Sequence, residues 1–151
     1  MDVRSGRPWW WRWLFPVTAL AVLGPVVPAA RAAPAVCGVE SPPAAIVRVY
    51  TRAGVPQLAS GRSPLSCGTA RYGLRHIGAR HAADWSAVAS GGGWVAFADA
   101  AMRATLARPD AVRCDARRDT CAFTRRLDAG VVALVAVARE DGKVITAYPL
   151  A

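Results

Sequence analysis

The chain is 151 residues long and carries nineteen basic against ten acidic side chains, a formal net charge of +9. Apart from any free α-amino group, its two histidines are the only groups whose ordinary pKa lies close to neutral, which leaves acid/base chemistry no other obvious place to sit. Lys143 is the lone lysine, and an excess made of arginine points to planar, bidentate contact with an anionic partner, although a GC-rich genome would leave the same bias.

The first element is a leader. Arg4, Arg7 and Arg12 form a basic start, Leu14 to Val27 is an apolar run broken only by Pro16, Thr18, Gly24 and Pro25, and Ala30-Arg31-Ala32 is a small-x-small cleavage site. Residues 1–32 therefore read as a signal peptide, the run being too short and proline-broken for a stable spanning helix. An uncleaved anchor is the competing reading, since Trp9, Trp10, Trp11 and Trp13 suit a membrane interface. Cleavage would remove four arginines and one aspartate, leaving fifteen basic and nine acidic groups, a charge of +6 on a chain sized for one compact domain. The expected product is extracellular or periplasmic, with no stable membrane association.

Residues 33–71 read as a proline-rich arm with one possible strand, at Ala45 to Tyr50, followed by a loop containing Gly54, Pro56, Gly61 and Pro64. Residues 33–43 are expected to be poorly ordered except near Cys37. Tyr72 to Ala83 reads as a short helix, with Leu74, Ile77 and His81 at helical spacing. Ser90-Gly91-Gly92-Gly93 breaks the chain, and Trp94 to Arg108 carries the clearest helical stripe, through Trp94, Phe97, Ala101 and Leu106 up to Pro109.

Strands follow: Ala111 to Ala116, Thr120 to Leu127, the almost continuously apolar Gly130 to Arg139, and Lys143 to Leu150 after the Asp141-Gly142 turn. The fold class is α+β, with two N-terminal helices packed on a C-terminal antiparallel sheet of three to five strands, and residues 72–151 form that domain.

All four cysteines, Cys37, Cys67, Cys114 and Cys121, lie beyond the leader, and an even count in an exported chain reads as two disulfides. With Arg117 and Arg118 as a hairpin loop, Cys114 falls opposite Cys121 at a separation a disulfide can span, leaving Cys37 for Cys67. No Cys-x-x-Cys pair supports zinc instead.

On the first helix His76 and Arg80 are four apart and share a face, with His81 one step round beside Ile77 and Leu74. A spacing of five with no intervening glutamate does not make a His-Glu-x-x-His zinc site, so neither metal nor other cofactor is expected. Cleavage at an RNA 2′-hydroxyl needs a base, an acid and positive charge near the phosphorane, and His76 with Arg80 could supply the base and the charge. His81 is the candidate acid or else a packing residue. Thr146 and Tyr148, two apart, project from one face of the last strand, where a hydroxyl and a phenol can bind phosphate or stack on a base; they are also ordinary strand formers. Arg75 and Lys143 are candidate substrate-binding cations beside these two groups.

The order Gly73-Leu74-Arg75-His76-Ile77-Gly78-Ala79-Arg80-His81, then an amphipathic helix, then antiparallel strands, then Val144-Ile145-Thr146-Ala147-Tyr148-Pro149, resembles the barnase, EndoU, colicin and RelE-like superfamily of ribonuclease domains. It is also similar to the RNase A-like toxin domains of contact-dependent inhibition systems. The resemblance covers about residues 72–150 and implies that His76, Arg80, His81, Thr146 and Tyr148 are the catalytic set. It further implies metal-independent cleavage to a 2′,3′-cyclic phosphate, RNA as partner and, for a toxin, a cognate immunity protein. The four cysteines depart from that pattern, as does the expectation that no large delivery domain precedes this one. The alternative class is a non-catalytic, disulfide-bonded secreted module that binds an anionic polymer or a protein.

Overall fold

The computed structural model describes residues 37–150, apart from 92 and 129; the leader and its cleavage site lie outside the described residues. Eight elements follow in order: β1 Ile46–Arg52, β2 Gly61–Ser66, α1 Gly73–Val88, α2 Trp94–Ala107, β3 Ala111–Asp115, β4 Thr120–Arg126, β5 Val132–Ala138 and β6 Val144–Leu150. The class is α+β, with an antiparallel β1-β2 pair and a four-stranded antiparallel meander in the order β3-β4-β5-β6. The helices do not open the fold: they lie in the middle of the chain, after the two-stranded sheet.

That correction comes from residues 61–66, expected as loop because of Gly61 and Pro64. In a two-stranded sheet β2 has a free edge, so the missing N–H of Pro64, opposite Val49, does not break a ladder on both sides. Nor is the chain from Cys37 loose. The Arg75 guanidinium donates to the carbonyls of Gly38 (2.6 Å), Val39 (3.3 Å), Ser41 (2.7 Å) and Gly68 (2.9 Å), fastening residues 38–41 to the start of α1. Cys37 is bonded to Cys67 at the same place.

The four-stranded sheet has one buried face. Cys121, Phe123, Ala133, Val135, Val137 and Ala147 are fully buried, and Ile77, Trp85, Ala101, Met102 and Leu106 of the helices complete the core. The alternate residues of β4 and β5 are half-exposed, the alternation expected of an antiparallel sheet packed on one side. Cys114 faces Cys121 in register and is bonded to it, with Asp115 opposite Thr120.

The β1-β2 pair is tied to α2 by Asp99, whose carboxylate accepts from the Tyr50 hydroxyl (2.9 Å), Arg48 Nε (3.2 Å) and Arg103 (2.9 Å). Burial and the neighbouring carboxylate push the Tyr50 phenol well above its ordinary pKa. Arg52 is buried, donates to Ser63 Oγ (2.8 Å) and the Ala59 carbonyl (2.7 Å), and has its pKa lowered by desolvation. Gly142 turns the β5–β6 hairpin at φ 70°, and a side chain there would run into the Arg52 guanidinium.

Candidate functional site

The site begins with an edge. β6 is the last strand of the sheet, and its Ala147 carbonyl accepts a 3.0 Å hydrogen bond from the indole N–H of the fully buried Trp85. The helix thus occupies the position a fifth strand would take, which satisfies an edge carbonyl and blocks further pairing. Because α1 lies beside β6, side chains on its flank can meet side chains from the face of β6 that points away from the core.

That is where the histidines are. Ile77, His81 and Trp85 recur every four residues along α1; the two hydrophobics are fully buried and His81, between them on the stripe, keeps 21% of its side chain exposed. The His81 ring stacks on the Tyr148 ring with centroids 4.8 Å apart and planes at 25°. His76 meets His81 edge-on at 5.7 Å, so three rings form one continuous line of contact across the α1–β6 seam.

Each imidazole has one nitrogen engaged. His76 Nδ1 lies 2.8 Å from the Ala70 carbonyl, an acceptor only, so Nδ1 carries the proton and Nε2 is the unprotonated nitrogen of the neutral ring. His81 Nδ1 lies 3.1 Å from the Asp84 carboxylate, which by the same logic holds Nδ1–H and leaves Nε2 unengaged. Asp84 did not figure among the expected residues, yet its signal was present: His81-x-x-Asp84 is an i,i+3 pair on a helix.

The remaining candidates are placed less directly. Arg80 is exposed on α1 one turn after His76 and pairs with no carboxylate among the described residues. Thr146 shares a sheet face with Tyr148, opposite Ala136 where Tyr148 is opposite Leu134, and its Oγ1 is buried without a hydrogen-bond partner among the described residues. Arg75 is engaged by the four carbonyls described above. Lys143 pairs with Asp141 at 3.2 Å and sits 5.4 Å from the Tyr72 ring centre, at the N-terminal end of α1. The Asp141 carboxyl is held below its ordinary pKa, chiefly by the Lys143 backbone N–H.

Two open depressions, of about 460 and 330 Å³, lie along the outer face of α2 around Ala100, Ala104 and Arg125, away from the histidines. Among the described residues no helix is long and apolar enough to cross a membrane.

No family model matches the chain, and no solved structure matches it. It is similar to two Mycobacterium tuberculosis proteins, the uncharacterized protein MT0764 and the uncharacterized protein Rv0739, each 38% identical over 121 residues that cover 71% of this chain. The chain spans only 45% of the length of these curated relatives.

Proposed function

We propose that the protein is a secreted, toxin-like, metal-independent ribonuclease that cleaves RNA by 2′-hydroxyl attack, leaving a 2′,3′-cyclic phosphate and a 5′-hydroxyl. The observation that carries the reading is the line of His76, His81 and Tyr148 at the α1–β6 seam, with both imidazole Nδ1 atoms engaged and both Nε2 atoms left for proton transfer. In this scheme His76 Nε2 takes the 2′-hydroxyl proton as the O2′–P bond forms. His81, protonated and oriented by Asp84, gives its Nε2 proton to the departing 5′-oxygen as the P–O5′ bond breaks. Arg80 offsets the charge that develops on the phosphorane and the Tyr148 hydroxyl supplies a neutral hydrogen bond to its oxygens, while the Thr146 hydroxyl, closed off from solvent in the free protein, joins them when the seam opens around substrate. The two disulfides support export, because such bonds persist in oxidising compartments.

The test is incubation of the oxidised protein, residues 33–151, with total RNA in EDTA across neutral pH, with the new 3′ ends analysed for cyclic phosphate. Cleavage to cyclic phosphate, lost in His76→Ala, is the expected result. RNA that is bound but left intact would overturn the enzyme and favour a secreted module that binds an anionic polymer.

A further inference from the structure

The core takes only one face of the four-stranded sheet, and the strand register shows what the other face carries. Arg113 lies opposite Ala122, Ala122 opposite Ala136, and Ala136 opposite Thr146, a straight row from β3 to β6. The next row runs Ala111, Thr124, Leu134 and Tyr148. Between Arg113 and the β6 pair the floor is short side chains and one leucine. Three strand spacings put the ends of a row ~14 Å apart, so a track along it could follow about two to four nucleotides of a single strand.

Charge completes the pattern. Arg113 is exposed and pairs with no carboxylate among the described residues. Asp115, two residues along β3 and so on the same face, instead accepts from the backbone N–H groups of Arg117 and Arg118 and pairs with the Arg118 side chain at 3.6 Å. Across the sheet from it the two rows end in Thr146 and Tyr148, and Tyr148 is stacked on His81, whose chain neighbour Arg80 is exposed on α1. A cation at one end, an aromatic stack at the other, and a floor low enough for a base to lie against it are what a single-stranded nucleic acid needs.

We propose that this sheet face is a binding track for the single-stranded RNA flanking the scissile phosphate, with Arg113 as a remote phosphate contact. The proposal rests on the ribonuclease reading for its substrate, but it can fail separately. The probe is a fluorescent hexaribonucleotide with 2′-O-methyl groups throughout, which has no attacking hydroxyl and so reports binding alone, read by anisotropy as salt is raised. Arg113→Ala is expected to weaken binding about 5- to 10-fold and to flatten the slope of log affinity against log salt by about 0.7. Ala136→Glu, which puts a carboxylate on the floor of the track, is expected to weaken it more than 10-fold, and a 2′-O-methyl dinucleotide to be indifferent to Arg113. Arg103→Ala, on α2 and outside the track, serves as the control, with melting temperatures confirming that each variant is folded.

A track that operates while wild-type protein leaves RNA uncut would end the ribonuclease reading and keep the track. Cleavage whose KM ignores both Arg113→Ala and Ala136→Glu would do the reverse. Failure of wild type to bind the hexamer, or an Arg103→Ala loss as large as that of Arg113→Ala, would overturn the track and leave the face to another occupant, such as a protein or the chain's own N-terminal segment.

Discussion

Trp85→Phe separates the edge bond from mere packing. The indole is fully buried and its N–H is 3.0 Å from the Ala147 carbonyl, so phenylalanine keeps an aromatic ring but leaves that carbonyl without its donor. An unmet buried carbonyl costs about 1–3 kcal/mol, and the smaller ring adds about 1 kcal/mol of lost contact and cavity. The total of roughly 2–4 kcal/mol corresponds to a melting temperature lower by roughly 10–20 °C for a domain of this size. Calorimetry on the oxidised protein measures the loss, and proton NMR of the His81 ring, shifted by its stack on Tyr148, reports whether the seam loosens with it. Trp94→Phe is the comparison, because that ring is only half-buried and makes no hydrogen bond through its indole nitrogen among the described residues. A fall of less than about 3 °C would refute the edge bond as a stabilising contact. A large fall with the His81 shift unchanged would show that this bond does not hold the rings together.

If His76 is the base, His76→Ala lowers cleavage by roughly 10²- to 10⁴-fold, and Tyr148→Phe and Thr146→Ala lower it less, as initial rates on RNA in EDTA will show. His81→Ala tells its two roles apart: lost cleavage at an unchanged melting temperature makes it the acid, and lost stability makes it a packing residue. Loss of the Cys37–Cys67 bond, which spans 30 residues, is expected to cost about 3–4 kcal/mol, and loss of Cys114–Cys121, which spans 7, about 2–3 kcal/mol, measured by urea unfolding of the double serine variants. Asp141 has a depressed folded pKa, so its contribution is present above the unfolded value of about 3.9 and disappears as pH falls through the folded value. Asp141→Asn should therefore be less stable than wild type at pH 6 and converge with it in acid, and a stability difference independent of pH would contradict that.

The elements that the chain announces most clearly are those whose signal is local. Cys114 and Cys121 flank a turn whose arithmetic places them opposite each other, and the register agrees residue for residue. The α2 stripe from Trp94 to Leu106 and the Asp141-Gly142 turn are likewise written in a few adjacent positions. What was not legible depended on distant partners. Pro64 reads as a breaker until β2 is known to have a free edge, and α1 reads as stopping at Ala83 unless Trp85 and Val88 are counted as continuing the stripe that Ile77 starts. Arg75 looks like one more surface cation beside His76; only the folded chain brings Gly38, Val39 and Ser41 around its guanidinium.

The candidate site has the same split. Spacing alone puts His76 near His81 and Thr146 near Tyr148, since each pair lies within one element. The meeting of the two pairs requires α1 to lie at the sheet edge rather than over its centre. Over the centre, the Ile77 stripe would be buried against the face of Val135 and Ala147, and Tyr148, on the opposite face, would be out of reach. At the edge, the same stripe meets β6 from the side, so its middle residue, His81, contacts a ring from the far face. The placement of α1 at the edge, marked by the Trp85–Ala147 bond, is therefore the structural condition for the ring cluster. Any enlargement of the sheet by a fifth strand at β6 would displace α1 and disperse the three rings.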